Sequence, residues 1–275
     1  MQVYVRDFEP RIRVKCPVQC MWSSEPGIIR TLMIDVDGQR KYKMLTSLEG
    51  PQYYPSLRAK AGEYRSTTSF KSDVPLTYLL YLTQFMKPRV PLNALSAASF
   101  IARNCGSRNN RERWVRGLRA YIQVDGLSSC LGSAPWPSEA DAENWYTSKI
   151  QAMKRYKFHL AFENQNENDY ITEKLWLSLE SGTLPVFLGA GNVRKHVPPH
   201  SVVVARDFSG PAALGRYLAG LLKNETAYNS YHKWRKRPLP DWWVRKYSMF
   251  NMSSQCRTCM WARQRSDKEK WKSSL

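Results

Sequence analysis

Between Phe158 and Lys223 the chain alternates short apolar runs with helix signals, and this alternation restricts its fold more than any other feature. Phe158–Phe162, Leu184–Leu188 and Ser201–Ala205 read as buried strands. Thr172 is placed to cap a helix running to about Ser181, with Gly182 to close it. Asp207 and Ser209 precede a second helix at about Ala212–Lys223. Strand, helix, strand, loop, strand, helix is the order of a parallel α/β sheet. Such sheets bind ligands beyond the carboxyl ends of their strands. The loops Glu163–Tyr170 and Gly189–Asn192 therefore mark where a ligand goes.

The same half begins with a strand predicted over Ala94–Ala102, a polar loop Asn104–Asn109 and a helix over Arg111–Tyr121. Upstream, Ile28–Val36 is apolar and ends at the turn signal Asp37-Gly38, and Tyr42–Leu48 reads as a strand ending at Glu49-Gly50-Pro51. Pro88 and Pro91 read as a linker. The expected domains are thus 1–91, 92–250 and a Cys-containing basic tail, 251–275, within the 275 residues.

The formal charge is +19, spread over Arg103–Arg119, Lys233–Arg237 and Arg263–Lys272. That excess suits an anionic partner, while most of it reads as solvated faces. No run of apolar residues is long enough to span a membrane, and the charged first residues lack the core of a signal peptide. Taken literally this predicts a soluble, cytosolic chain; an incomplete chain is the competing explanation. Six cysteines permit three disulfides, and their pairing is not legible. Cys16, Cys20, Cys256 and Cys259 could imitate a four-cysteine zinc site, but their wide separation disfavours one. The sequons at Asn224 and Asn251 point weakly to a lumenal protein.

Four places carry candidate chemistry. The stretch Glu163–Lys174 holds Asn164, Tyr170, Glu173 and Lys174. A carboxylate there can bind sugar hydroxyls and an ammonium can bind phosphate, although a local capping box fits the pattern as well. Arg108 lies in the loop after the first strand of this half, where a guanidinium can clamp a diphosphate. Several other arginines surround it. Asp35-Val36-Asp37 has the form of a metal-holding acid pair, but the following Gly38 favours a plain turn. Glu49, at a strand end beside Tyr53 and Tyr54, could serve as a general base or be an ordinary surface residue.

The run Tyr156–Asn164, then Asp169–Lys174, then Gly182–Ala190 with Asn192, strongly resembles the signature of the α1,3-fucosyltransferases, glycosyltransferase family 10. Thr67-Thr68-Ser69 before Ser72–Pro75, Asn104–Gly106 with Arg108-Asn109, and Cys256–Cys259 agree with it. Arg6-Asp7-Phe8, the Cys16/Cys20 pair and Glu49 with Tyr53-Tyr54-Pro55 look most like the plant-type core enzymes.

The resemblance implies an α/β fold of GT-B type: two facing Rossmann-like domains, the N-terminal acceptor-side one shortened. It implies an inverting transfer of L-fucose from GDP-fucose to a GlcNAc of a glycoprotein N-glycan, the core one first. By motif position Arg108 and Lys174 would neutralise the diphosphate. Asn164, Tyr170 and Glu173 would surround fucose, ribose and diphosphate; Glu49 and Glu173 would be the catalytic residues, Glu49 as the base. No metal or cofactor is obligatory in this reading, with divalent stimulation left open. The family setting is the Golgi lumen, behind a membrane anchor not seen in this sequence. Two other classes stay open: a GDP-sugar-binding relative without activity, and a basic nucleic-acid-binding protein that no recognition motif supports.

Overall fold

A computed structural model describes residues 16–18, 20–24, 27–36, 38, 41–58, 62–79, 88–90, 93–140 and 144–273. Arg6-Asp7-Phe8, Asp37 and Pro91 lie outside the described residues. The strands are β1 (Met21–Ser24), β2 (Arg30–Asp35), β3 (Lys41–Thr46), β4 (Tyr64–Ser66), β5 (Leu95–Phe100), β6 (Val124–Gly126), β7 (Tyr156–Phe162), β8 (Leu184–Leu188) and β9 (Val203–Val204). The α-helices are α1 (Arg111–Leu118), α2 (Trp145–Lys154), α3 (Glu173–Ser181), α4 (Pro211–Lys223), α5 (Glu225–Ser230), α6 (Asp241–Tyr247) and α7 (Ser254–Ser273). They form two units, Met1–Leu82 with Arg245–Leu275, and Thr83–Val244.

The second unit is a five-stranded, all-parallel sheet in the order β6-β5-β7-β8-β9. Both faces are covered, as parallel sheets require. Phe158, Leu160 and Phe162 of β7 pack on one side with Val115 and Leu118 of α1 and Leu214, Leu218 and Leu221 of α4. On the other side Ala97 packs with Ile150 and Met153 of α2 and Leu177 of α3. The helix expected after Tyr170 is α3: Thr172 caps it by accepting from the Lys174 N–H, and Gly182 ends it in the left-handed region at φ 85°. A side chain at Gly182 would also strike the Pro88 carbonyl oxygen at 2.3 Å, so only glycine fits that stop.

Chain order and sheet order together locate a crevice. From β5 the chain moves to β6 on one side, and from β7 it moves to β8 on the other. The reversal puts the open crevice between the carboxyl ends of β5 and β7, the usual ligand position in such sheets.

The first unit carries a four-stranded sheet in the order β1-β2-β3-β4. β1–β2 and β2–β3 pair antiparallel, and only β3–β4 pair parallel. Of the two Rossmann-like domains expected, the second unit carries the parallel sheet, whereas the four described strands of the shortened first one are antiparallel but for β3–β4. The links Ser24 to Arg30 and Asp35 to Lys41 are too short for the crossover of about a dozen residues that a parallel pair needs. Asp35 makes the turn: its Oδ1 accepts from the Gly38 N–H at 2.6 Å.

The segment expected to be a separate basic tail is helix α7, and it belongs to this unit. Ala262 is buried with Ile34, Val36, Tyr42 and Met44, and Trp261 lies edge-on to Tyr42 and Tyr64 at 5.6 and 4.8 Å. Disulfides Cys16–Cys256 and Cys20–Cys259 lock the helix to the segment just before β1. Those four sulfurs are consumed in pairs, which removes the zinc reading. Cys105–Cys130 is the third bridge.

Candidate functional site at the switch point

The loops at the β5/β7 crevice carry most of the residues that the sequence singles out. Arg108 is exposed, and its backbone N–H donates to the Asn164 carbonyl at 2.9 Å. Asn109 Nδ2 donates to the Glu163 carbonyl at 3.0 Å. The Arg108 loop is clamped from below. Cys105 is bridged to Cys130, Glu112 accepts from both the N–H and the Oγ of Ser107, and the buried Arg111 donates to the carbonyls of Phe162 and Asn104.

Glu163 is the hub of the site. Its carboxylate is fully buried and accepts from the Thr172 N–H at 2.7 Å, the Thr172 Oγ1 at 2.8 Å and Lys174 Nζ at 3.2 Å. Gly189 has to be glycine beside it, since a Cβ there would meet Glu163 Cγ at 2.8 Å. Lys174 Nζ also donates to Thr172 Oγ1 at 2.8 Å and lies 3.7 Å from Glu173 Oε1. Glu173 in turn takes Lys149 Nζ, from α2, at 3.2 Å. The four side chains form an alternating file: Lys149, Glu173, Lys174, Glu163.

The file sets the charge states. Burial favours the neutral acid at Glu173, yet Lys174 and Lys149 outweigh it and hold the carboxyl down to about 2. Burial opposes charging Lys174, but Glu163 and Glu173 prevail and raise its pKa. Burial pushes Glu163 up against the pull of Lys174 and Thr172. Beneath them His159 accepts or donates at 2.9 Å to Ser99 Oγ, and burial with Lys149 and Lys174 nearby holds it near 3, so the ring is neutral.

A second network ties the two loops at the carboxyl edge. Asp169 sits in the left-handed region at φ 64°. Its N–H donates to Asn192 Oδ1 at 2.9 Å, and its Oδ1 meets Asn192 Nδ2 at 2.7 Å and His196 Nε2 at 2.9 Å. Trp243 Nε1 holds the His196 carbonyl at 2.7 Å. Tyr170, 2% exposed, follows directly in this loop.

Arg108, Asn164, Tyr170, Glu173 and Lys174 therefore collect at one crevice of Thr83–Val244, whereas Glu49 belongs to the other unit. Sequence reasoning passed over the central role of Glu163 and missed Lys149 altogether. Glu163 had a signal, as an acid ending an apolar strand. Lys149 had none, being far from Glu173 in sequence. The crevice presents a guanidinium, an ammonium and the start of a helix, the equipment for an anion such as a diphosphate.

A parallel α/β unit with this crevice defines a class of nucleotide-type binding folds, and comparison narrows it. Residues 94–275 match the model of glycosyltransferase family 10 (fucosyltransferase), C-terminal part. The chain belongs to that family. A fucosyltransferase-like protein of Arabidopsis thaliana is 30% identical over 258 residues, covering 89% of this chain and 48% of the relative. The human 4-galactosyl-N-acetylglucosaminide 3-alpha-L-fucosyltransferase FUT6 is 33% identical over 203 residues, covering 70% and 54%. GDP-fucose protein O-fucosyltransferase 3 of Xenopus laevis is 34% identical over 186 residues, covering 62% and 40%. The chain thus spans about half the length of the curated relatives it matches. A crystal structure of an α1,3-fucosyltransferase with GDP-fucose shares the fold at a TM-score of 0.51 and 17% identity, covering 79% of this chain and 77% of that one. The chain accordingly has the α/β fold of this GT-B family.

Proposed function

We propose that the protein is an inverting α1,3-fucosyltransferase that moves L-fucose from GDP-fucose to a GlcNAc of a glycoprotein N-glycan, the core residue first. The observation that carries this reading is the anchoring of Arg108, through its backbone N–H, on the Asn164 carbonyl at the switch point, one residue from Glu163, whose carboxylate holds Lys174 Nζ. The acceptor hydroxyl attacks fucose C1, the bond from C1 to the β-phosphate oxygen breaks, and GDP leaves with the electron pair. Glu49, in the acceptor-side unit, takes the hydroxyl proton. Arg108 and Lys174 offset the charge on the departing diphosphate, so no metal is obligatory. Asn164 and Tyr170 line the donor, and the ionised Glu173 faces the positive charge that develops on the fucose ring.

A second acceptor class has its own support. The similarity to protein O-fucosyltransferase 3 matches that to FUT6, which favours a serine or threonine hydroxyl as the alternative acceptor. We assign the protein to the Golgi lumen, where its three disulfides are stable. Among the described residues no helix is long and apolar enough to cross a membrane.

The test is GDP release from GDP-fucose, with and without core glycopeptide, antenna glycan and hydroxyl peptide, with and without Mn²⁺. The linkage of each product is then determined. Glu49→Gln should lower transfer by about 10²–10⁴-fold while GDP affinity is kept. Full activity in that variant removes Glu49 as the base, and GDP binding without transfer to any acceptor leaves a donor-binding relative.

A further inference from the structure

The first unit holds a cavity of about 420 Å³ with Glu49 on its wall. That volume lies within the usual range of small-ligand pockets, about 300–1,000 Å³. Ile28, Leu32, Leu48, Leu76, Phe250 and Met252 supply its apolar lining, so both ends of the chain build it.

Several polar side chains on the wall, Ser47, Tyr78, Ser253 and Arg257, are turned onto the protein's own backbone. Ser47 Oγ donates to the Ile28 carbonyl at 2.8 Å and accepts from the Glu49 N–H at 3.0 Å. Tyr78 donates to the Leu48 carbonyl at 3.2 Å, and Ser253 Oγ accepts from the Cys256 N–H at 3.0 Å. Arg257 donates to the carbonyls of Met252 and Pro75 and covers the Phe250 ring at 4.6 Å. A sugar is gripped through hydroxyls by polar groups directed at it. Here four of those groups are committed elsewhere, and most of the remaining wall surface is carbon.

We propose that this cavity receives an apolar side chain of the acceptor polypeptide, next to the hydroxyl that Glu49 deprotonates. The proposal rests on Glu49 being the acceptor-side base and narrows the acceptor class. A core GlcNAc is bonded to asparagine, and a serine or threonine hydroxyl is part of the polypeptide. Both bring peptide side chains close to the reacting oxygen. An antenna sugar does not.

Binding of three probes to the GDP-loaded full chain, measured by calorimetry, tests this. They are a GlcNAc-Asn peptide with leucine flanking the asparagine, the same peptide with aspartate there, and free chitobiose. The leucine peptide should bind about ten- to a hundredfold more tightly than the other two, the worth of one buried aliphatic side chain. Ile28→Asp, at a position 60% exposed and therefore tolerant of change, should erase the preference. Met252→Gln should weaken it independently. Equal binding of the leucine and aspartate peptides, or of chitobiose and the leucine peptide, overturns the proposal. So does a preference that both variants retain. Transfer by Glu49→Gln is read separately: if that variant still turns over, the base assignment fails, while the binding comparison still judges the cavity.

Discussion

The paired bridges Cys16–Cys256 and Cys20–Cys259 make a quantitative prediction about how stability is shared between them. Their sequence separations are 240 and 239. In the chain-entropy account, closing a loop of that size restrains the unfolded chain by about 5.5 kcal/mol. Once one bridge is closed, the other closes only the small ring made by residues 16–20 and 256–259, worth about 2.5 kcal/mol. Replacing either pair with serines should therefore cost about 2.5 kcal/mol, and replacing both about 8 kcal/mol, well beyond the sum of the single losses. Denaturant titrations of the oxidised single and double variants, followed by near-ultraviolet dichroism of the Trp261–Tyr64 contact, measure this. Single losses near 5 kcal/mol that simply add would refute the shared-loop reasoning.

Other expectations follow from the charge file and the helix stop. Lys149→Met removes one of the two ammoniums on Glu173, so the Glu173 pKa should rise and the acid limb of GDP binding should move to higher pH, with Lys149→Arg restoring it; calorimetry from pH 3 to 7 decides. Glu173 has a depressed folded-state pKa, so it stabilises the fold above the ordinary carboxyl range and loses that effect as pH falls toward about 2; Glu173→Gln should flatten the acid limb of the melting curve in that window. Gly182→Ala, at φ 85° and facing the Pro88 carbonyl oxygen at 2.3 Å, should cost at least about 2 kcal/mol in chemical denaturation, and an unchanged midpoint would remove the close-contact argument.

The second unit was readable because its signals are local. β7 and β8 are continuous apolar runs, and the α3 limits follow from Thr172 and Gly182, each acting on its own neighbours. Predicted strands at Ala94–Ala102 and Ser201–Ala205 shorten to β5 and β9 because pairing partners, not composition, decide where a strand ends. The first unit was harder to read. β4 contains Arg65, whose guanidinium is buried against the Ser56 carbonyl and Glu63, so it carries no apolar pattern. α7 looks polar in sequence; its disulfides and the burial of Thr258, Ala262 and Ser266, with Trp261 packed beside them, give it a buried face. Loop residues of the β5/β7 crevice were recognisable by motif, but the Lys149–Glu173 contact and the Asp169–His196 contact join separate segments and leave no trace in local pattern.

Because α7 packs on the sheet that β1–β4 form, one unit is assembled from segments synthesised before and after the parallel sheet. Strands β1–β4 emerge before the parallel sheet and must wait, thiols at 16 and 20 unoccupied, while that sheet is synthesised. The crevice-bearing unit can close as soon as Val244 has emerged; the other can close only when Cys256 and Cys259 arrive. During that interval Cys105 and Cys130, nearer in sequence, are the competitors for oxidation, and an oxidising folding factor that acts too early would trap the waiting pair with the wrong partners.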